Sequence, residues 1–133
     1  MSIPEELWRE TIIGSNSSIK DAIECLNKTG LKIVLVENKN KIFKGTISDG
    51  DIRRGLLNNM SLDSNVDKII RKDAIVVPDN LEKDLIQSLM NSNQIFQIPI
   101  INENQQIIGL HHWEEITKIS KRENYMIVMA GGM

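Results

Sequence analysis

The chain has 133 residues, 41% apolar and 26% charged, with a formal net charge of −2. That is enough to bury one core, and the single cysteine, Cys25, excludes an internal disulfide. The acidic balance and 4% aromatic content argue against a broad nucleic-acid surface or a base-stacking platform; no run is long enough for a membrane span, and the opening MSIPEELW lacks the basic and apolar regions of a secretion signal. A cytoplasmic protein is the expectation.

The first predicted element is a short strand at Ile12 and Ile13. A helix follows over 18–26, with Ser17 or Ser18 as N-cap and Asp21 in its first turn. Ile19, Ala22, Ile23 and Leu26 share one face, Cys25 reads as a small buried thiol, and Gly30 is the stop. The run KIVLVENKNKIFKG (32–45) then reads as a β-hairpin around a polar turn. A second helix starts near Asp49 and turns Ile52, Leu56 and Leu57 inward. Residues 60–65 are polar and turn-rich, and 66–70 read as a brief helical turn.

The order then repeats. Residues 74–77 form a strand that Pro78 ends, because proline cannot donate to a ladder. Asn80 caps a helix whose inward stripe is Leu81, Leu85, Ile86, Leu89 and Met90. FQIPIINENQQIIG (96–109) matches the first hairpin, down to its closing glycine. A last helix begins at Trp113 and carries Ile116 and Ile119. The fold class is therefore α/β (α+β): tandem βαββα units that pack together with pseudo-twofold symmetry, since a unit of about 60 residues buries too little surface alone. The expected division is 1–62, 63–124 and a distinct tail, 125–133.

The duplication, with GTISDGDI (45–52) placed between strand and helix of the first copy, resembles the CBS-domain pair, or Bateman module, over residues 12–121. The match is to that family's Gly-hydrophobic-x-Ser/Thr-x-x-Asp motif. The resemblance implies an adenosine-containing ligand (AMP, ADP or ATP) in the cleft between repeats, a homodimer formed through the repeats, and regulation of an attached enzyme. The physical chemistry agrees, since backbone N–H groups at a helix start favour anions. Ser48 can donate to a phosphate, Asp51 can accept from ribose hydroxyls, and Arg53 or Arg54 can grip phosphate oxygens. Equally, Ser48 and Asp49 can be ordinary capping residues and Asp51 a first-turn acid favoured by the helix dipole. By position in the family, Thr46 and groups near Ile33, Val34, Ile98 and Pro99 join the ligand site, with Ile12, Ile13, Ile75 and Val76 as apolar walls. In the second copy His112 and Glu115 stand where Ser48 and Asp51 stand in the first, so one competent site per chain is expected.

No catalytic triad or dyad is evident and no metal site is expected, because the adjacent His111 and His112 point to opposite faces of a strand. The tail YMIVMAGGM (125–133) resembles the first strand and glycine loop of sugar-phosphate nucleotidyltransferases. That implies a covalently attached transferase domain making a nucleotide-activated sugar. The family's basic residue and metal-binding aspartate are not among these residues, so this stretch is not itself expected to catalyse transfer. Two alternatives stay open: a structural dimerisation module without ligand, and a stand-alone CBS signalling protein.

Overall fold

A computed structural model describes residues 4–113. The chain opens with a short helix α1 (Glu5–Trp8) and a 3-10 turn (Arg9–Thr11), then strand β1 (Ile12–Gly14), helix α2 (Ile19–Thr29), strands β2 (Val34–Glu37) and β3 (Phe43–Ile47), and helix α3 (Asp49–Leu57). A linker containing a 3-10 turn (Val66–Lys68) leads to helix α4 (Lys83–Asn93) and strands β4 (Gln97–Ile101) and β5 (Ile107–His112). β1 runs parallel to β2, and β2 antiparallel to β3; β4 and β5 form a separate antiparallel pair.

The two halves superpose in sequence at one offset, 64 residues, as between Gly45 and Gly109. α2 and α4 are both 11 residues long, and both end on a left-handed residue, Gly30 and Gln94. The hairpin turns match atom for atom. Asn38 Oδ1 accepts from the N–H of Asn40 and Ile42, and Asn102 Oδ1 accepts from Asn104 and Gln106. Lys41 and Gln105 each take φ 64°. Asn tolerates this role because its short amide mimics a backbone carbonyl. Both hairpins also break register at the same place, after Val36 and after Ile100.

The first copy closes around Ile19, Ala22, Val34, Val36, Ile47 and Ile52, the second around Val77, Ile86, Met90, Ile98 and Ile100. A third cluster joins the halves: Trp8 from α1, Ile33 and Leu35 from the first hairpin, Ile107 and Leu110 from the second. Each such aliphatic side chain contributes about 1.5–3 kcal/mol on full burial, before entropy is subtracted. The Phe43 N–H donates to the Gln105 carbonyl (2.8 Å), and Gln97 Nε2 donates to the Leu31 carbonyl (2.9 Å), so polar links cross the same seam. Cys25 is buried, its Sγ 3.2 Å from the Glu10 carbonyl. Burial raises its thiol pKa, Lys28 opposes this and Glu10 adds to it.

Four expectations need correction. Residues 74–77 form no strand; one parallel bridge, Val77 to Ile100, stands where β1 pairs with β2 in the first copy. Asn80 does not cap α4: it lies in a turn, and the N-cap position falls on Glu82, which makes no side-chain cap bond. Leu85 is exposed, because α4 packs on the Ile86–Met90 side with Leu81 and Leu89 flanking. Leu57 is 76% exposed and Leu56 39%, because α3 presents Ile52 and Gly55 inward instead. The helix expected from Trp113 onward lies outside the described residues.

The linker is docked, not loose. Ile19 and Lys20, first-turn N–H groups of α2, donate to the Ser64 and Leu62 carbonyls, and Val66 donates back to Ser17. Further on, Arg71 and Thr46 exchange both backbone hydrogen bonds, at 2.8 and 3.2 Å, so the linker pairs with β3. Gly45 makes this possible. It sits at φ 149°, and a Cβ there would lie 2.4 Å from the Arg71 carbonyl oxygen and 2.4 Å from Ile70 Cγ2. Gly55 does the same on α3, where a Cβ would meet Ile69 Cγ2 at 2.8 Å. Gly45→Ala should therefore cost about 3 kcal/mol in urea denaturation, from backbone strain plus overpacking. Gly14→Ala, with nothing within 4 Å of its added Cβ, should stay within about 0.5 kcal/mol.

Candidate ligand cleft

β3 runs into α3 through Ser48, which forms a complete capping box with Asp51. Ser48 Oγ accepts from the Asp51 N–H (3.2 Å), and Asp51 Oδ2 accepts from the Ser48 N–H (2.9 Å) and hydroxyl (3.0 Å). The same box occurs at α2, between Ser18 and Asp21. The two boxes differ in their surroundings. Asp21 is exposed, while Asp51 is buried and uses its second oxygen elsewhere. Asp51 Oδ1 accepts from Arg54 Nη2 at 2.6 Å, and Arg71 Nη2 lies 3.7 Å away. Capping explains Ser48 and one oxygen of Asp51; it does not explain why the other oxygen gathers guanidinium groups.

Those groups border an open cleft of about 540 Å³. Asp51, Arg54 and Gly55 line it from α3 and Asn58 from its C-cap, and Lys68, Ile69, Ile70, Arg71 and Asp73 from the linker, with Met60 between. The side chains of Arg54 and Arg71 are 62% and 54% exposed, while the Asp51 side chain between them is only 10% exposed. Three cations and two carboxylates share the cleft, and one carboxylate is already engaged in the cap.

Of the residues singled out from sequence, Asp51 lies in this cleft and Ser48 directly beside it. Thr46 is buried, its backbone paired with Arg71. Arg53 turns away: its guanidinium pairs with Asp49 at 2.7 Å, both about 70% exposed, and Arg54 takes the cleft position instead. Ile33 lies in the seam between halves, Val34 in the first core and Ile98 in the second, and Pro99 is buried in β4. None of these four lines the cleft. Arg71 and Lys68 were not singled out from sequence. Their position depends on linker docking, which leaves no periodicity; the one sequence signal is Gly45, a glycine where a backbone must approach closely.

The second copy is built differently. Gly109, the counterpart of Gly45, is not among the positive-φ glycines, and a Cβ there would meet the Ile100 side chain at 2.8 Å. His112 stands at the Ser48 position, with Nδ1 3.3 Å from Gln97 Nε2. Glu115 lies outside the described residues. Among the described residues no cluster of His, Cys, Asp or Glu could hold a metal, and no helix is long and apolar enough to cross a membrane.

Residues 9–58 match the family model for the CBS domain. The CBS domains of a transcriptional regulator from Streptococcus pneumoniae superpose with a TM-score of 0.77 at 14% identity, covering 89% of this chain and 93% of that one. The chain folds as a pair of CBS domains. A second CBS pair, that of the protein MJ0100 in complex with 5′-methylthioadenosine and S-adenosyl-L-methionine, gives a TM-score of 0.74 at 20% identity, over 84% of this chain and 88% of that one. Among curated proteins, the arabinose 5-phosphate isomerase GutQ of Salmonella typhi is 28% identical over 93 residues, 70% of this chain. The chain spans 29% of the isomerase, so the match concerns one part of a longer enzyme.

Removing either cap hydroxyl should cost a similar amount. Ser18→Ala and Ser48→Ala should each destabilise the fold by about 1 kcal/mol, measured by urea denaturation.

Proposed function

We propose that this CBS pair is a regulatory module that binds an adenine nucleotide in the cleft beside Asp51. One observation carries the reading: a buried carboxylate at a helix start keeps one oxygen in the cap and turns the other, with two guanidinium groups, to an open cleft. A nucleotide offers the complementary set, phosphates for the cations and ribose hydroxyls for the carboxylate. The adenosyl ligands in the MJ0100 pair support adenine as the base. The expectation of one competent site per chain draws on His112, an imidazole beside Gln97 where the first copy has the Ser48 hydroxyl.

In this reading the units 1–62 and 63–124 act together, pair with a second copy, and shift an attached enzyme between states; that shift requires the nucleotide to bind the two states unequally. The tail 125–133 supports a sugar-phosphate nucleotidyltransferase as the attached domain. The curated relative is an isomerase, so the comparison supports a phosphosugar enzyme without supporting transfer. Assaying the full-length protein for nucleotidyl transfer and for phosphosugar isomerisation separates the two.

A second reading, a dimerisation element without ligand, draws on the divergent second copy. Calorimetry with AMP, ADP, ATP, GDP and GTP decides between them. The nucleotide-sensing reading expects binding of at least one adenine nucleotide, weakened about tenfold or more in Asp51→Ala. A protein that stays dimeric and binds none of them is the dimerisation element.

A further inference from the structure

The cleft has a feature that the ligand motif does not supply. Its cationic wall comes from the linker. The Arg71 main chain is held by hydrogen bonds to Thr46, and its guanidinium reaches toward α3, with Nη2 3.7 Å from Asp51 Oδ1. Lys68, on the linker's 3-10 turn, lines the same cleft from the same side. Opposite them, Arg54 is anchored on Asp51 Oδ1. Among the described residues that line the cleft, Asp73 is the one carboxylate besides Asp51. Two guanidinium groups and an ammonium thus surround one opening, with the Asp51 carboxylate buried behind it.

We propose that Arg71, with Lys68, forms a linker-borne phosphate clamp that makes the cleft select ligands by the number of their phosphates. The inference rests on the nucleotide reading above and adds the specificity residue. Arginine suits the role because its planar fork meets two phosphate oxygens at once; Lys68 adds a point charge. Asp51, beside its proposed ribose contact, holds Arg54 in position. A polyanion in the cleft draws both guanidinium groups toward itself, and because Arg71 is part of the linker, the occupied clamp ties the connection between the two repeats to α3. Phosphate count is thereby coupled to how firmly the linker is docked.

The test is isothermal titration of the wild-type chain, Arg71→Met and Lys68→Met with adenosine, AMP, ATP and inorganic tripolyphosphate. Methionine keeps much of the length of each stem, and the Arg71–Thr46 backbone bonds do not depend on the side chain. The clamp predicts that wild type binds ATP about tenfold or more tighter than adenosine. It further predicts that Arg71→Met loses about tenfold in ATP affinity and less than about threefold in adenosine affinity, with a smaller loss of the same kind in Lys68→Met. Nucleotide binding with an unchanged ATP-to-adenosine ratio in both variants overturns the clamp and leaves the nucleotide reading standing. Arg71-dependent binding of tripolyphosphate without nucleotide binding keeps the clamp and removes adenine. Binding of none of the four compounds removes both. Should Arg71→Met fail to fold, Lys68→Met decides the ratio, since Lys68 is exposed.

Discussion

The close approach of the linker backbone to Gly45 is the constraint on which the candidate site depends. A side chain at that position would collide with the Arg71 carbonyl, so β3 could not pair with the linker. Without that pairing Arg71 would have no fixed place, and the cleft would lose the wall that faces α3. Gly55 repeats the device one helix away, against Ile69. These two glycines act through what they let come near, and of the two only Gly45 also needs a positive φ.

The two copies of the unit keep the same local devices and part at the backbone of the hairpin glycine. At an offset of 64 residues they share helix length, turn chemistry and the position of their bulges. They differ at the closing glycine of the hairpin. The first takes φ 149° and receives a linker backbone, while the second is not a positive-φ glycine. A duplicated scaffold thus carries one linker-walled cleft among the described residues, and the shared seam of Trp8, Ile33, Leu35, Ile107 and Leu110 holds the first copy against the second.

Much of the scaffold was legible in the sequence, because local rules agree there. The hairpins follow from apolar runs around Asn-rich turns, and α2 from a serine N-cap, an apolar face and a terminal glycine. Misreadings fall where tertiary contacts override local pattern. Leu85 and Leu57 are apolar and periodic, yet packing chose the Ile86–Met90 and Ile52–Gly55 sides. At the site, the motif pointed to Ser48 and Asp51, but choosing Arg54 over Arg53 needed the helix's orientation. Arg71 was invisible, since it reaches Asp51 across 20 positions of chain through backbone pairing with Thr46. Ile33, Val34, Ile98 and Pro99 came from the family's pattern and lie in packed interiors.

Native-state amide hydrogen exchange at Arg71 reads linker docking most directly. If the linker is an added edge to β3, the Arg71 and Thr46 amides exchange slowly and open together, with protection approaching that of Leu35 and Val36 in the strand beside them. An Arg71 amide that exchanges at the rate of an open loop, while Leu35 and Val36 stay protected, would contradict the account.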